Sequence, residues 1–315
     1  MVKTSLTTYT IKAYSTNEKD KDSPIKLNNL NENTLLSGTD QYNTIQDILD
    51  ALFEKNPHIT HNNKYLSIHK QEKEGNNLYF GELKYGPYGT EHEVINATQN
   101  ELTGQKISKE ESVITHYYFN MRFFDNMNYG LLILETQSNL GIKIIFEKWI
   151  NKFLKDINYA HFQIRIESFL PKEIIDKFSN KGHIRKIRYI SHLLPKDKIN
   201  LINDYEPTEG FAEYIVNIKK GKSKRHPNFL KKIFTKNDDI PEELIKNIDF
   251  PVDDIKLELE LEDEKRTFTI GNISKTRPIK NISYIIELGE DGHRTFESIH
   301  KIATVYAKEI IESNF

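Results

Sequence analysis

The stretch that decides the fold is residues 129–157, YGLLILETQSNLGIKIIFEKWINKFLKDI. Its first part, YGLLILET, is almost wholly apolar, which predicts a strand at the centre of its sheet. The second part predicts a long helix, because its apolar residues recur at helical spacing and share one face for four turns. Those residues are Ile142, Ile145, Phe146, Trp149, Ile150, Phe153, Leu154 and Ile157. We expect this helix to pack across a sheet, with Trp149 in the core.

Strand-like patterns dominate the chain on both sides of this stretch. Further strands are predicted, mostly from alternating apolar and polar residues, for TTYTIKAY, KYLSIHK, NLYFGELKYG, HFQIRIES, HIRKIRYISHLL and IKLELELE. A turn at Gly75 joins the second and third of them into a hairpin. In IKLELELE the predicted outward residues are Lys256, Glu258 and Glu260. NISYIIEL, residues 281–288, is predicted to add one more strand.

Two other helices are predicted from their capping residues and periodicity. NTIQDILDALFEKNP begins at Asn43 or Thr44, either of which can cap it, carries Asp47 in its first turn and ends before Pro57. Thr295 caps a helix that runs to the end of the chain. Together these elements predict an α+β fold of mainly antiparallel sheets with packed amphipathic helices.

The length of 315 residues favours two domains, because domains of about 150 residues are common. We place an N-terminal α+β domain at residues 1–158, with a long polar loop at 15–42. A C-terminal α+β domain follows at residues 159–315, with a basic turn at 219–236.

Composition restricts the chemistry and the location. The chain contains no cysteine, which excludes disulfides, thiol catalysis and zinc sites built from thiolates. Its N-terminus, MVKTSLTTYTIKAYS, lacks the apolar core of a signal peptide, and no apolar run reaches the ~18 residues of a membrane span. We therefore expect a soluble, cytoplasmic protein.

Charge is segregated along the chain. Residues 177–236 contain fifteen Lys or Arg and five Asp or Glu, although the whole chain has a net charge of −2. Such segregation is typical of a local surface for a polyanion, whereas the alternative is a solvated lysine-rich surface. The candidate phosphate-contacting residues are Arg185, Lys186, Arg188, Lys219, Lys220, Lys222, Lys224, Arg225, Lys231 and Lys232.

One short motif resembles the metal site of restriction-type nucleases. Glu82 and Lys84 form an ExK pattern on a predicted strand, in which a carboxylate would hold Mg²⁺ and a lysine would polarise the attacking water. Such sites also need an upstream aspartate, and no aspartate lies between Asp50 and Glu82. The simpler interpretation is the outward face of a strand.

Other potential catalytic sets are incomplete. Arg185 and His192 have the six-residue separation of HEPN ribonucleases, but a strand would send them to opposite faces. Weak metal signals come from His58 with His61 and from Glu91-His92-Glu93 in a predicted polar loop, while His293 and His300 are expected to be structural. Phosphate-binding glycine loops and the GxSxG motif are absent. We therefore predict no catalytic residue, no metal and no cofactor, which favours a binding protein.

A further indication comes from the order of elements. The segment KNPHITHNNKYLSIHK, residues 55–70, precedes an aromatic LYF strand, and the DIKLELELEDEKRTFTI hairpin and a terminal helix come later. This arrangement resembles the phage-lambda exclusion protein RexA and its relatives. The resemblance implies a protein that binds DNA as a dimer with little sequence preference and acts with a small integral-membrane partner to stop phage infection. The two-gene Kiwa system has a similar membrane-plus-soluble organisation.

Three functions remain open at this point. The first is a sequence-nonspecific DNA-binding subunit of a bacterial anti-phage system of the exclusion or abortive-infection kind. It would form a homo-oligomer, a dimer or larger, in the cytoplasm, with recruitment to the inner face of the membrane by its partner. The second is a metal-dependent nuclease or ribonuclease, and the third is a protein-interaction subunit that binds no nucleic acid.

Overall fold

The computed structural model describes residues 3–16, 23–30, 42–125, 127–138, 140–192, 212–219, 227–235, 240, 242–249, 251–261, 264–270, 276 and 279–314. Much of the predicted polar loop 15–42 lies outside these residues. The strands are β1 (Thr4–Ser15), β2 (Pro24–Ile25), β3 (Ile59–His61), β4 (Lys64–Glu74), β5 (Leu78–Pro87), β6 (His92–Asn96), β7 (Glu101–Ile107), β8 (Thr115–Arg122), β9 (Gly130–Gln137), β10 (Leu140–Gly141), β11 (Phe162–Ser168), β12 (His183–Ser191), β13 (Ala212–Asn217), β14 (Asp254–Leu261), β15 (Glu264–Ile270) and β16 (Ile279–Asn281).

The helices are α1 (Ile45–Lys55), α2 (Lys143–Asp156), α3 (Lys172–Lys181), α4 (Pro227–Thr235), α5 (Glu242–Ile245) and α6 (Phe296–Asn314). Strand pairing is mostly antiparallel, which confirms the predicted α+β class. Among the described residues, no helix combines the length and the apolarity that a membrane crossing requires.

The chain forms two compact units. Unit 1 comprises Met1–Glu167 and Lys280–Ala307, and unit 2 comprises Ser168–Ile279 and Lys308–Phe315. Unit 1 thus takes in a C-terminal segment that the predicted boundary at residue 158 leaves in the second domain. The physical reason is sheet pairing, because both β11 and β16 pair with β1.

Unit 1 is built on a ten-stranded sheet. Seven strands follow the order β11-β1-β9-β8-β5-β4-β3. In addition, β2 and β16 pair with β1, and β10 pairs with β9. The apolar strand β9 lies between β1 and β8, as its composition predicts. β6 and β7 form a separate, largely exposed hairpin, so His92 lies on a strand and not in the predicted loop.

One face of this sheet is covered by α1 and α2. Phe119 of β8 packs against Phe53 of α1 and Phe146 of α2, with ring centroids 5.9 and 6.3 Å apart. Trp149 is buried beside Phe146, and its Nε1 donates to the carbonyl oxygen of Pro57 at 2.7 Å. The predicted packing of the long helix across a sheet is confirmed.

The helix α1 begins where its capping residues predict. The Thr44 hydroxyl accepts a hydrogen bond from the Asp47 backbone N–H at 3.1 Å, and the Asp47 carboxylate accepts from the Thr44 N–H at 2.9 Å. This reciprocal pair is a capping box, which satisfies two backbone donors that a helix start leaves without partners. Thr44 is therefore the residue that caps the helix.

The opposite face of the sheet is covered by the first turns of α6 and the segment before it. Phe80 of β5 stacks on His300, with ring centroids 4.1 Å apart. The Tyr118 hydroxyl of β8 lies 2.9 Å from Nδ1 of His300. Burial lowers the pKa of His300 below its ordinary value. His300 therefore has a packing role, as expected from the sequence.

The strand predicted for residues 281–288 is wrong beyond Asn281. The backbone N–H groups of Ile285 and Ile286 donate to the carbonyl oxygen of Ile282, which forms a turn. The Asn281 side chain accepts from the Ser283 N–H at 3.1 Å and from its hydroxyl at 2.8 Å. Such local side-chain hydrogen bonds compete with strand pairing, so the apolar residues of NISYIIEL are not held in a ladder.

Unit 2 contains a four-stranded sheet in the order β13-β12-β14-β15. Phe268 of β15 packs against Phe178 of α3 and Phe234 of α4, with ring centroids 5.5 and 4.9 Å apart. On β14 the predicted inward residues, Ile255, Leu257, Leu259 and Leu261, are all buried.

Glu260 of β14 lies on the predicted outward face, opposite Leu259 and Leu261, but it is buried and not exposed to solvent as expected. The register between β12 and β14 shifts between Ile184 and Lys186, which marks a β-bulge. Arg185 is the extra residue of this bulge, and it forms an ion pair with Glu260, which is buried. Bulges redirect side chains, and simple alternation does not reveal them.

Candidate functional site

The structure describes six of the ten residues predicted to contact nucleic acid. Lys220, Lys222, Lys224 and Arg225 lie outside the described residues. Lys219, Lys231 and Lys232 are exposed and Lys186 is half-buried. The two lysines of α4 lie on its outer side because Leu230 and Ile233 are buried in the core of unit 2. All four lysines are thus at least partly exposed on unit 2.

Both arginines of β12 already have acidic partners within unit 2. The Arg185 side chain is only 12% exposed and pairs with Glu260. The Arg188 side chain is 39% exposed and lies 3.5 Å from Glu213 of the neighbouring strand. Arg185 is therefore part of the structure of unit 2, and a phosphate would have to compete with Glu213 for Arg188.

Unit 1 contains a cavity of about 660 Å³, lined by both polar and apolar side chains, on the face of the sheet that α6 partly covers. Its wall includes Glu82 of β5, His116 of β8, Gln137 of β9 and Arg294 from the segment before α6. Residues 21 to 212 positions apart in sequence thus converge, as shown for Glu82 and Arg294 by their ion pair. The sequence alone offered no sign of this grouping.

At the floor of this cavity one arginine binds two carboxylates. Arg294 forms an ion pair with Glu82 and a second one with Glu135, at 2.6 Å, and all three side chains are buried. Glu135 also accepts from the Tyr118 backbone N–H at 2.8 Å. Burial alone would lower the pKa of Arg294, but its contacts with Glu135 and Glu82 raise it above its ordinary value. The arginine stays charged.

The ExK motif takes part in this arrangement. Glu82 lies on the face opposite α1 and α2, as the strand interpretation predicts, but the face is covered there and Glu82 is buried. Lys84 lies on the same face, directly opposite His116 in the β5–β8 register, and is half-buried. Arg294 occupies the position beside Glu82. Among the described residues, Asp291 lines the same cavity but does not belong to the group of possible metal ligands around Glu82.

Two histidines lie next to Glu82. The imidazole rings of His69 and His116 stack with centroids 4.1 Å apart and an interplanar angle of 12°. Each of these histidines and Glu82 offers one ligand atom within 4.8 Å of the others. Burial, and then the nearby His69, lowers the pKa of His116 below its ordinary value. Neither histidine was identified from the sequence.

His69 lies at a β-bulge of β4. The β4–β5 register runs from Ile68 opposite Leu83 to Lys70 opposite Glu82, so His69 is an extra residue. Alternation already places His69 on the face of Glu82, because a regular continuation from Ile68 opposite Leu83 would put His69 directly opposite Glu82. At the bulge His69 lies outside the β4–β5 ladder, and its ring stacks on that of His116.

The bulge also explains Gly81. A Cβ atom at Gly81 would overlap the carbonyl oxygen of Lys70, the residue after the bulge. We expect Gly81→Ala to lower the free energy of unfolding by about 1–3 kcal/mol, as overpacking does. Urea unfolding followed by the fluorescence of Trp149, the single tryptophan, measures this loss.

Gly141→Ala is the matched control. A Cβ at Gly141 would meet only the Thr136 side chain, at 3.6 Å, which is ordinary van der Waals contact. Its unfolding curve should stay close to that of the parent. Equal stability of the Gly81 and Gly141 variants would contradict the close approach of β4 and β5.

The other candidate metal ligands and the proposed HEPN pair, all named from the sequence, do not form a comparable cluster among the described residues. His92 is exposed, and Glu91 beside it pairs with Lys106 at 3.3 Å. Nε2 of His61 lies 2.7 Å from Nζ of Lys148. Arg185 lies within β12 and His192 just after it, consistent with the strand that argued against a HEPN site.

Comparison with known proteins gives no assignment. No family model matches the chain, and no curated protein matches it either.

Proposed function

We propose that this chain is the sequence-nonspecific DNA-binding subunit of a bacterial anti-phage system, acting as a homo-oligomer with an integral-membrane partner. The observation that supports it is the segregation of charge, with fifteen cationic and five acidic side chains between residues 177 and 236. All of these residues belong to unit 2. The proposed partner and assembly rest on the resemblance to RexA and its relatives.

The contacts would come from lysines more than from arginines. Lys186, Lys219, Lys231 and Lys232 are at least partly exposed on unit 2, whereas Arg185 is held by Glu260. The remaining candidates are Lys220, Lys222, Lys224 and Arg225. A lysine ammonium is a compact charge that can neutralise a phosphate but lacks the fixed fork with which arginine reads guanine. Such contacts give affinity with little base preference.

The test is the salt dependence of DNA binding in a charge-reversed variant. Each phosphate contact contributes about −0.9 to the slope of log affinity against log salt on duplex DNA. Replacing Lys222, Lys224 and Arg225 with glutamate should weaken binding to unrelated duplexes equally and flatten the slope by up to about 3 units. Fluorescence anisotropy over a range of salt concentrations measures both quantities.

A control variant with the same charge change separates local contacts from net charge. Lys106, Lys109 and Lys155 are exposed on unit 1, and replacing them with glutamate should leave the slope nearly unchanged. Melting temperatures of both variants show whether folding is preserved. If the Lys222, Lys224 and Arg225 variant binds DNA with the affinity and salt slope of the parent, the DNA-binding proposal is contradicted. The basic residues are then only a solvated surface.

The same assay separates the alternative functions. A parent protein that binds no duplex favours the protein-interaction subunit. Cleavage of the duplex on addition of Mg²⁺ favours the nuclease.

A further inference from the structure

Beside the cavity of unit 1 lies a donor set that suits a transition-metal ion, and two of its three residues, Glu82 and His116, line the cavity. His69, Glu82 and His116 present two imidazole nitrogens and a carboxylate oxygen within 4.8 Å of one another. Two histidines and one carboxylate are the protein ligands of many catalytic zinc sites, and imidazole is a ligand of choice for divalent transition ions. Mg²⁺ and Ca²⁺ prefer oxygen ligands instead.

The fold holds the three donors on adjacent strands. Glu82 lies on β5, His116 on the neighbouring β8, and His69 at the bulge of β4 on the other side. Only the two histidines are exposed, so they can adjust while Glu82 stays fixed. Around a tetrahedral Zn²⁺, ligand atoms at about 2.0–2.1 Å from the ion lie roughly 3.3 Å apart. Rotation of the exposed imidazoles can close the remaining distance.

The charges around the site tolerate a cation. Arg294 is the buried cation beside Glu82, but it is shared with Glu135, so this buried group has a net charge of −1. Arg294 contacts Glu82 through Oε1, and a carboxylate has a second oxygen for a metal. Hydrogen bonds that orient a ligating carboxylate are usual at metal sites. Two lysines lie on this face near the site: Lys84, opposite His116, and Lys70, opposite Glu82. The Lys70 ammonium pairs with Glu72 at 2.8 Å, and both lysines have flexible chains.

We propose that His69, Glu82 and His116 bind a divalent transition-metal ion, Zn²⁺ or an ion of the same ligand preference, with at least one coordination position left open. Three protein ligands leave a position for water or for an anionic ligand from the cavity. This site is separate from the proposed DNA contacts, because its ligands lie in unit 1 and those contacts lie in unit 2. Either proposal can therefore fail without the other.

The test is a titration of the full chain with zinc chloride after removal of metals by a chelator and dialysis. Isothermal titration calorimetry should show a site that His69→Ala and His116→Ala each weaken at least about tenfold, since loss of second-sphere groups alone costs 10–100-fold. Co²⁺ in place of Zn²⁺ should give the visible absorption of a low-coordinate nitrogen and oxygen site, and this absorption should disappear in both variants.

His92→Ala is the matched control, because His92 is an exposed histidine between two glutamates on the β6–β7 hairpin. Its Zn²⁺ affinity should equal that of the parent. The two alanine variants replace exposed side chains, so their melting temperatures without metal should stay near that of the parent. Lack of Zn²⁺ binding by the parent, or parental affinity in both His69→Ala and His116→Ala, overturns the proposal.

Discussion

Phe146→Ala is expected to lower the free energy of unfolding of unit 1 by about 3–5 kcal/mol. The Phe146 side chain is fully buried and its ring packs against Phe119 of the sheet and Trp149 of the same helix. Truncation removes the transfer free energy of the ring and leaves a cavity between α2 and the sheet. Close-packed surroundings collapse only partly into such a cavity, which is why the loss is large.

The measurement uses the single tryptophan. Trp149 lies one turn from Phe146 and remains in the variant, so its fluorescence reports the unfolding of unit 1 in urea. Ile144→Ala is the control on the same helix, because Ile144 is 68% exposed and its loss should change stability by no more than about 0.5 kcal/mol. A Phe146 variant as stable as the Ile144 variant would contradict the packing of α2 on the sheet.

Elements that are determined by interactions between residues close in sequence could be predicted from the sequence. The buried face of α2 follows from apolar residues at helical spacing, and the start of α1 follows from Thr44 and Asp47, which satisfy each other's backbone donors. The hairpin between β4 and β5 follows from Gly75, which adopts a φ of +61° at the turn. In each case the determining residues are neighbours in sequence.

The bulges were not predictable because alternation assumes an unbroken register. β4 has an extra residue at His69, and β12 has an extra residue at Arg185, which pairs with Glu260. A bulge shifts one side chain out of the period of two, while the apolar residues on either side still alternate. Nothing in the local composition distinguishes these strands from regular ones.

The ion cluster was not predictable because its members are far apart in sequence. Glu82 was singled out for its ExK motif, yet its partner Arg294 is 212 residues away. Arg294 follows a segment that was predicted to be a strand, and the turn formed at Ile282 leads instead to a loop across the sheet. Periodicity and short motifs describe residues that are close in sequence, so they cannot predict an ion pair between residues this far apart.

Arg294→Met is expected to cost about 3–5 kcal/mol of folding free energy, because it leaves Glu82 and Glu135 buried without their cation. Methionine keeps much of the length of the arginine chain, so the loss reflects charge more than volume. Removal of a surface charge in unit 1, Lys301→Met on α6, should change stability by no more than about 0.5 kcal/mol. Urea unfolding followed by Trp149 fluorescence compares the two, with EDTA present so that metal bound at Glu82 cannot contribute.

A variant that removes all three charges identifies the cause of the loss. Glu82→Gln and Glu135→Gln combined with Arg294→Met leave polar groups of similar shape but no buried charge, and hydrophobic or neutral replacements of buried ion clusters are often tolerated. We therefore expect the triple variant to recover most of the stability lost in Arg294→Met. If the triple variant recovers none of that stability, the arginine contributes chiefly through packing and its hydrogen bond to the His116 carbonyl oxygen. If it recovers, the carboxylates on the sheet are what require an arginine at position 294, and the segment before α6 is held in place by charge.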